Sequence, residues 1–402
     1  MSMLRNRLVR VVAGALATAS LSFAAQAATP GVTDKEIKVG HIVPYSGPVS
    51  AYGKIGKTID AYFRKVNDEG GINGRRINFI SLDDAYSPPR TVEQARRLVE
   101  RDEVLLLFAP LGTPSNMAIR KYMNARKVPH LFLATGASRW GEDYKEFPWT
   151  MGWQPTYQAE GHAFAKHILQ NHPNGKVAII YQNDDFGKDN LKGVLDGLGE
   201  QAKTLVVSQQ SYEVSDPTID SQLVALKATG ADVLVSLVTP KFGALAIRKL
   251  AELDWKPEHY LSSVSSSVES VLKPAGLDNA KGTITGAYLI DPTDPKYVDK
   301  EGVKQYLAFM KKYYPDGDPN DSLNIIGYSS AQTLEQTLKQ AGDDLSRDNV
   351  LKQATSLDME LPMLYEGIRI KTGPDDYFPV DEMQLVRFDG VRWVPFGEVF
   401  GR

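Results

Sequence analysis

The sequence contains no cysteine among its 402 residues. This absence excludes disulfide bonds, thiol catalysis, thiolate metal sites and iron–sulfur clusters. Exported proteins need disulfides mainly when they are small, and a chain of this length can bury sizeable cores without them. By size alone, we expect about two domains.

A surplus of basic residues is also missing, since 46 Lys and Arg stand against 49 Asp and Glu. The formal net charge is −3, and residues 1–27 carry three arginines and no acid, so their removal leaves −6. Nothing in this balance supplies the basic footprint that nucleic-acid binding needs. Nucleic acid is therefore not an expected partner.

Long hydrophobic runs are absent after the first 27 residues. Arg5, Arg7 and Arg10 precede the apolar stretch "VVAGALATASLSFA", and "AQA" ends at Ala27. A basic start, an apolar stretch and an A-x-A end predict a secretory signal peptide at 1–27, cleaved after Ala27. A retained membrane anchor is the less favoured alternative, because the apolar part is short and rich in Ala and Ser. We expect the mature chain to be exported to the periplasm.

Enzyme motifs are missing too, since the sequence has no GxSxG, HExxH, P-loop or GxGxxG. His162 and His167 are five residues apart and do not share a helix face, so they do not form a helical metal pair. Adjacent acids at 83–84 and 184–185 could suggest a cation site, but acids in turns at strand ends are the preferred interpretation. We find no nucleophile–base pair, and we expect no enzymatic activity, no cofactor and no bound metal.

The segments that are present alternate between strand and helix patterns. "EIKVGHIVP" predicts a strand and "GKIGKTIDAYFRKVNDEG" a helix, and the same rhythm continues to "HYLSS". This alternation predicts an α/β fold with parallel sheets flanked by helices. Two blocks separated near Trp153 indicate two Rossmann-like lobes. The tail "EMQLVRFDGVRWVPFGEV" predicts two short strands joined by a two-residue turn at Asp389 and Gly390.

Small and hydroxyl-bearing residues follow three strands of the first block. In open parallel sheets, ligands bind beyond the carboxyl ends of the strands, where helix N-termini present free N–H groups. One such loop is better explained by helix capping, but three on one sheet edge favour a neutral cradle for an anion, most simply a carboxylate. The loop residues are Tyr45, Ser46, Gly47, Pro48 and Tyr52; Leu111, Gly112, Thr113, Pro114 and Ser115; and Ala134, Thr135, Gly136, Ala137 and Ser138.

The stretches "VGHIVPYSGPVSAYGK", "DEGGINGRRINFISLDD" and "YQNDDFGKD" resemble the periplasmic solute-binding proteins of branched-chain amino-acid ABC importers. The resemblance covers nearly the whole mature chain. It implies two lobes joined by three crossings, with a small solute enclosed between them. It also implies a monomer that delivers its solute to a membrane permease. The expected lobes are residues 34–154 with 285–361, and 155–284 with 362–402, with hinges near 153–157, 283–287 and 361–365.

The same resemblance implies which residues bind the solute. Tyr52 matches an aromatic residue that packs on the ligand, and the loop at Gly112 and Thr113 matches the one that holds the ligand carboxylate. Phe186 and Tyr328 match family aromatics on the second lobe and on a helix near the cleft. The full expected set is Ser46, Tyr52, Leu111, Gly112, Thr113, Thr135, Gly136, Ala137, Phe186, Val238, Val264 and Tyr328.

Two positions depart from the family pattern. Amino-acid binders usually place an acidic residue against the ligand ammonium, and the matching position here holds Val264; Val238 replaces a family aromatic. A buried ammonium without a partner costs several kcal/mol. We therefore expect a carboxylate on an aromatic or other apolar body, of the benzoate or phenylpropenoate type. Glu269 lies near enough in sequence to change this interpretation. Branched-chain amino acids, short amides and urea stay open as ligands, and a periplasmic sensor stays open as a role.

Overall fold

The computed structural model describes residues 29–401, and the predicted signal peptide at 1–27 lies outside the described residues. Residues 29–401 form two lobes, each built on one large sheet with apolar clusters on both of its faces. In this part of the chain, no helix combines the length and the apolar character needed to cross a membrane.

The first lobe begins with alternating strands and helices. All neighbouring strands of its sheet are parallel. The elements are β1 (Glu36–Val43), α1 (Gly53–Asp68), β2 (Arg76–Asp83), α2 (Pro88–Arg96), β3 (Leu106–Phe108), α3 (Thr113–Ala125), β4 (His130–Leu133), α4 (Arg139–Glu142) and β5 (Thr150–Gly152). The sheet order is β2-β1-β3-β4-β5. The sequence did not predict β5, because three residues are too few to show a strand periodicity.

The second lobe continues the same alternation. Its helices start at caps that the sequence provides, such as Thr156 before α5 and Asp184 before α6. The elements are α5 (Tyr157–Asn171), β6 (Val177–Gln182), α6 (Asp185–Leu198), α7 (Ala202–Leu205), β7 (Val206–Tyr212), α8 (Asp220–Ala228), β8 (Val233–Leu237), α9 (Pro240–Glu252), β9 (Glu258–Leu261), α10 (Lys273–Ala275), α11 (Leu277–Ala280) and β10 (Ile284–Ala287).

The last third of the chain serves both lobes. Its elements are α12 (Glu301–Tyr313), α13 (Ser322–Ala341), α14 (Arg347–Ala354), β11 (Asp358–Met359), β12 (Ile370–Lys371), β13 (Met383–Phe388) and β14 (Trp393–Phe400). Strands β13 and β14 are antiparallel and complete a seven-stranded sheet of order β14-β13-β10-β9-β8-β6-β7. Phe388 pairs with Trp393, so four residues connect the hairpin, and the predicted two-residue turn is wrong. The longer turn forms because the Asp389 carboxylate accepts the N–H groups of Val391 and Arg392.

Helices α12 to α14 pack on the first lobe, because their apolar faces share one core cluster with β1 and β3. The chain therefore passes three times between the lobes. It leaves the first sheet after β5, and after β10 it returns to the helices that pack on the first lobe. The third passage lies at 380–383, later than the expected 361–365, because Leu361, Leu364 and Tyr365 are buried in the first-lobe core. That these passages act as hinges stays a prediction.

Candidate functional site

A cavity lies between the two lobes, where the carboxyl ends of parallel strands from both sheets face each other. It encloses about 1080 Å³ of space, counting the part that is open to solvent. The first lobe lines it with the residues that follow β1, β2, β3 and β4, and the second lobe with those that follow β6, β8 and β9. The main lining residues are Tyr52, Tyr86, Gly112, Thr113 and Ala134, and Phe186, Thr239, Ser263 and Val264.

The loop between β3 and α3 brings backbone close to the cavity. Gly112 has a φ of 96°, a conformation that favours glycine. A Cβ atom at Gly112 would lie 2.5 Å from the ring of Tyr86, so a side chain there would also displace the neighbouring wall. Gly112 therefore lets α3 begin directly at Thr113.

Three hydroxyl groups meet beside this helix start. The hydroxyl oxygens of Thr113 and Thr135 are 2.7 Å apart, and the Tyr157 hydroxyl donates to Thr135 Oγ1 at 3.4 Å. Burial raises the pKa of Tyr157 to about 12, so its hydroxyl keeps its proton at neutral pH. This group of hydroxyls can donate hydrogen bonds to an anion without carrying a charge.

Two helix N-termini at the cavity have no side-chain cap. Helix α3 begins after Gly112 and α9 begins after Thr239, and neither residue forms a capping side-chain hydrogen bond. The first N–H groups of a helix have no intrahelical acceptor and carry a partial positive charge. Helix α6 differs, because Asp184 accepts the N–H groups of Phe186 and Gly187. The uncapped end of α3 therefore favours a negatively charged group, whereas α9 begins at Pro240, which has no N–H to donate.

Aromatic side chains form much of the remaining wall. The rings of Tyr157 and Phe186 pack edge to face with centroids 5.1 Å apart. Tyr52 spans the cleft, because its hydroxyl donates to the carbonyl oxygen of Val264 at 3.1 Å. Tyr288, Tyr365 and Trp393 complete the aromatic lining. Such rings suit an apolar or aromatic solute.

Charged residues are nearly missing from the wall. Among the described residues that line the cavity, Asp291 is the single charged one. Its Oδ1 atom already accepts hydrogen bonds from the backbone N–H and the hydroxyl of Thr293. The wall therefore offers neutral donors to an anion and one acidic group to a cation.

Buried acids behind the wall hold its loops in place. Asp84 accepts hydrogen bonds from the N–H of Tyr86 at 2.9 Å and from the hydroxyls of Thr91 and Ser115. Tyr86 has a φ of 60°, which is unfavourable for a bulky residue, and the bond to Asp84 helps to fix it there. In residues 29–401 no group of three or more His, Asp and Glu residues is arranged so that it could bind a metal ion. The acids at 83–84 and Asp184 hold turns and a helix start.

Half of the expected site residues lie at the cavity. Tyr52, Leu111, Gly112, Thr113, Phe186 and Val264 line it. Thr135 lies one layer behind, bonded to Thr113. Their contact with a solute stays a prediction.

The structure does not bring the other expected residues to the cavity. Ser46 is exposed and donates to Asp83. Val238 is fully buried in the second-lobe core, and Tyr328 packs on the rings of Tyr62, Tyr306 and Phe309. The loop at 136–137 packs against Pro155, Tyr157 and Trp140.

Several wall residues lie outside the expected set, among them Tyr86 and Thr239. Tyr86 follows β2 at the same sheet edge as the three expected loops, so the strand-end rule would have found it. Thr239 is the N-cap of α9 and the neighbour of Val238, and its position before Pro240 marks a helix start.

Comparisons with known proteins agree with this architecture. A model described as "Periplasmic binding protein" matches residues 36–391. "Leu/Ile/Val-binding protein homolog 7" of Brucella abortus (strain 2308) is 24% identical over 355 residues, which cover 84% of this chain and 85% of that protein.

Solved structures share the fold at low identity. A branched chain amino acid ABC transporter from Thermus thermophilus with bound valine has a TM-score of 0.82 at 16% identity, covering 92% of this chain and 98% of that one. A solute binding protein of an ABC transporter from Rhodopseudomonas palustris BisB5, in complex with 3,4-dihydroxy benzoic acid, has a TM-score of 0.77 at 20% identity, covering 91% and 97%.

These comparisons confirm the resemblance that the sequence motifs indicate. The family match spans most of the described residues. This chain therefore belongs to the periplasmic binding protein family, whose members are solute-binding proteins of transporters and not enzymes.

Proposed function

We propose that this protein binds a small solute that carries a carboxylate on an aromatic or other apolar body. It acts as a monomer in the periplasm after cleavage near Ala27, and it delivers the solute to the membrane permease of an ABC importer. The observation that carries the ligand class is the charge pattern of the described wall, where hydroxyls and the uncapped N-terminus of α3 stand without a cationic side chain.

The head group of the solute is assigned to Thr113 and its surroundings. A carboxylate there would accept hydrogen bonds from the Thr113 hydroxyl and from the first N–H groups of α3. Hydrogen bonds to a charged group contribute about 1.5–3 kcal/mol each. No Lys, Arg or His among the described lining residues competes for it.

The body of the solute is assigned to the aromatic wall. Tyr52, Phe186 and Val264 would cover it from both lobes. Lobe closure removes apolar surface from water, at roughly 25 cal/mol per Å². Val264 supplies no acid for an α-ammonium group, which disfavours an amino acid.

Asp291 supports a second candidate, a branched-chain amino acid. It is the acidic group of the described wall, and the two hydrogen bonds from Thr293 both go to its Oδ1 atom and not to Oδ2. The relatives named for Leu, Ile and Val, and the neighbour with bound valine, point the same way. Asp291 is flanked in the wall by Ile290 and Pro292, however, and not by the hydroxyls of the head-group site.

A ligand panel separates the two candidates. Thermal unfolding is measured with benzoate, 3-phenylpropionate, leucine, valine and urea side by side, followed by calorimetric titration of each compound that protects. A ligand at a hundred times its dissociation constant adds about 2.7 kcal/mol of stability. We expect one of the aromatic acids to protect at the lowest concentration. Protection by leucine, with both aromatic acids failing, would overturn the proposed ligand class.

Delivery to a permease is tested separately from binding. Membrane vesicles that contain the cognate permease should accumulate radiolabelled solute when the loaded protein is added. A protein that serves a periplasmic sensor instead would bind the same solute but drive no uptake. The N-terminal sequence of the exported protein should begin at Ala28.

A further inference from the structure

A buried carboxylate joins the two lobes at one edge of the cavity. Asp321 precedes α13 on the first lobe, and its side chain is fully buried. Its two oxygens accept from Lys54 Nζ at 2.6 Å and from the N–H of Leu323, both on the first lobe. They also accept from the hydroxyls of Ser267 at 2.9 Å and Ser270 at 2.7 Å.

The two serines belong firmly to the second lobe. Ser267 caps the helical turn Val268–Leu272, and its Oγ atom accepts the N–H of Ser270. Val271 and Leu272 anchor this turn in the second-lobe core. The serines therefore move with the second lobe, and only a closed cleft brings them to Asp321.

None of these four polar residues lines the cavity, yet each is next or nearly next to a residue that does. Lys54 precedes Ile55, Ser267 precedes Val268, and Asp321 precedes Ser322. These four residues therefore join the two lobes at the edge of the cavity that α1, α13 and the turn at 268–272 form. Their hydrogen bonds hold the lobes together and do not contact a solute in the cavity.

We propose that Ser267 and Ser270 are positioning residues that lock the closed cleft and thereby set how long a solute is retained. This inference rests on the solute-binding function proposed above. When the lobes separate, water must replace both hydroxyls at Asp321, so the two bonds count only toward the closed form. A solute held by both lobes binds in proportion to the closed population. The lock lowers the dissociation rate and leaves the first encounter with the open cleft unchanged.

The lock is tested first without a solute. Small-angle X-ray scattering compares the ligand-free parent with Ser267→Ala/Ser270→Ala and with each single variant, in case the double variant folds poorly. The control is Ser211→Ala/Ser221→Ala, which removes two exposed hydroxyls of the same lobe. We expect a larger radius of gyration in the lock variant and no change in the control. An unchanged radius of gyration would overturn the proposal.

Stopped-flow kinetics with benzoate provide a second readout. We expect the lock variant to release benzoate at least about tenfold faster, since bonds to a charged group are lost, while the association rate stays within about twofold because the open cleft is unchanged. Equal dissociation rates in the parent and in Ser267→Ala/Ser270→Ala would overturn the proposed role of the two serines. If benzoate does not bind the parent, the proposed ligand class is in doubt, whereas the scattering result still decides the lock.

Discussion

The two walls of the cavity carry similar residues whose hydrogen bonds differ. In the first-lobe wall, Thr113 and Thr135 bond to each other, so one of their two hydroxyl protons is left to donate elsewhere. In the second-lobe wall, the Thr239 hydroxyl donates to Gln182 Oε1 at 3.1 Å and its N–H donates to the Tyr212 hydroxyl at 3.1 Å. The first-lobe wall can therefore still donate a hydrogen bond to a solute. In the second-lobe wall, both donors of Thr239 are already bonded within the protein.

This difference indicates that the two lobes bind different parts of the solute. A buried donor without a full set of partners is unfavourable unless a ligand completes it. The first lobe therefore suits the charged head group of a solute. The second lobe, with Phe186 and Val264, suits the apolar body and the closing contact.

Val264→Glu should have the largest effect on solute affinity. A carboxylate at this position would face an anionic solute in a buried cleft, where like charges cost several kcal/mol. We expect benzoate affinity to fall at least about 100-fold and leucine affinity to rise. Calorimetric titration measures both, with Val264→Gln as the uncharged control. Equal benzoate affinity in the Glu and Gln variants would contradict the assignment.

Thr113→Ala/Thr135→Ala should produce the next largest effect. The double variant removes the one hydroxyl donor that this pair has left for the head group, so we expect about a 30-fold loss of benzoate affinity, from a bond of about 1.5–3 kcal/mol. Thr239→Ala is the matched control on the other wall, and it should change affinity less than about threefold, because its bonds lie within the protein. Similar losses of benzoate affinity in Thr113→Ala/Thr135→Ala and in Thr239→Ala would contradict the assignment of the head group to the first-lobe wall.

Tyr52→Phe should have a smaller effect on binding. The change keeps the ring on the solute and removes the hydroxyl that reaches the Val264 carbonyl across the cleft. A neutral hydrogen bond contributes about 0.5–1.5 kcal/mol, so we expect about fivefold weaker binding through faster release. Stopped-flow rates check this, and a slower association with unchanged release would argue against a bridging role.

Glu160→Gln should have the smallest effect on solute affinity and act on stability instead. Glu160 accepts the N–H of Ser263, and burial raises its pKa from 4.5 to about 7. Between pH 4.5 and 7 the folded state holds a proton that the unfolded state has lost, so this contribution to stability falls as pH rises. At pH 8 the parent should have lost up to about 3 kcal/mol relative to the Gln variant, compared with pH 4.5. A difference in unfolding free energy that does not vary with pH would contradict the raised pKa.

Strand and helix patterns made most of the fold predictable. Long segments such as α1 and β1 carry clear periodicities, and loops at the ends of parallel strands meet wherever the sheet is formed. Tyr52, Gly112 and Thr113 could therefore be placed at one edge without a structure. The short strand β5 could not, because it depends on pairing with β4 and not on a local pattern.

The expected site residues that lie away from the cavity are ones whose side-chain direction depends on packing. Tyr328 lies on a helix beside the cleft, but the helix turns its ring toward Phe309, with centroids 4.9 Å apart. Val238 and Thr239 are neighbours at the end of β8, and only the sheet geometry decides which of them faces the cavity. Asp321 and Ser267 are separated by 54 residues in the sequence, so no local sequence pattern predicts their contact.

A crystal structure with benzoate bound in the cleft would show directly which lobe holds the carboxylate. We expect both carboxylate oxygens within hydrogen-bond distance of the Thr113 side chain and of the first N–H groups of α3, with the ring between Tyr52 and Phe186. A carboxylate that turns away from α3, toward the second lobe or toward solvent, would contradict this expectation.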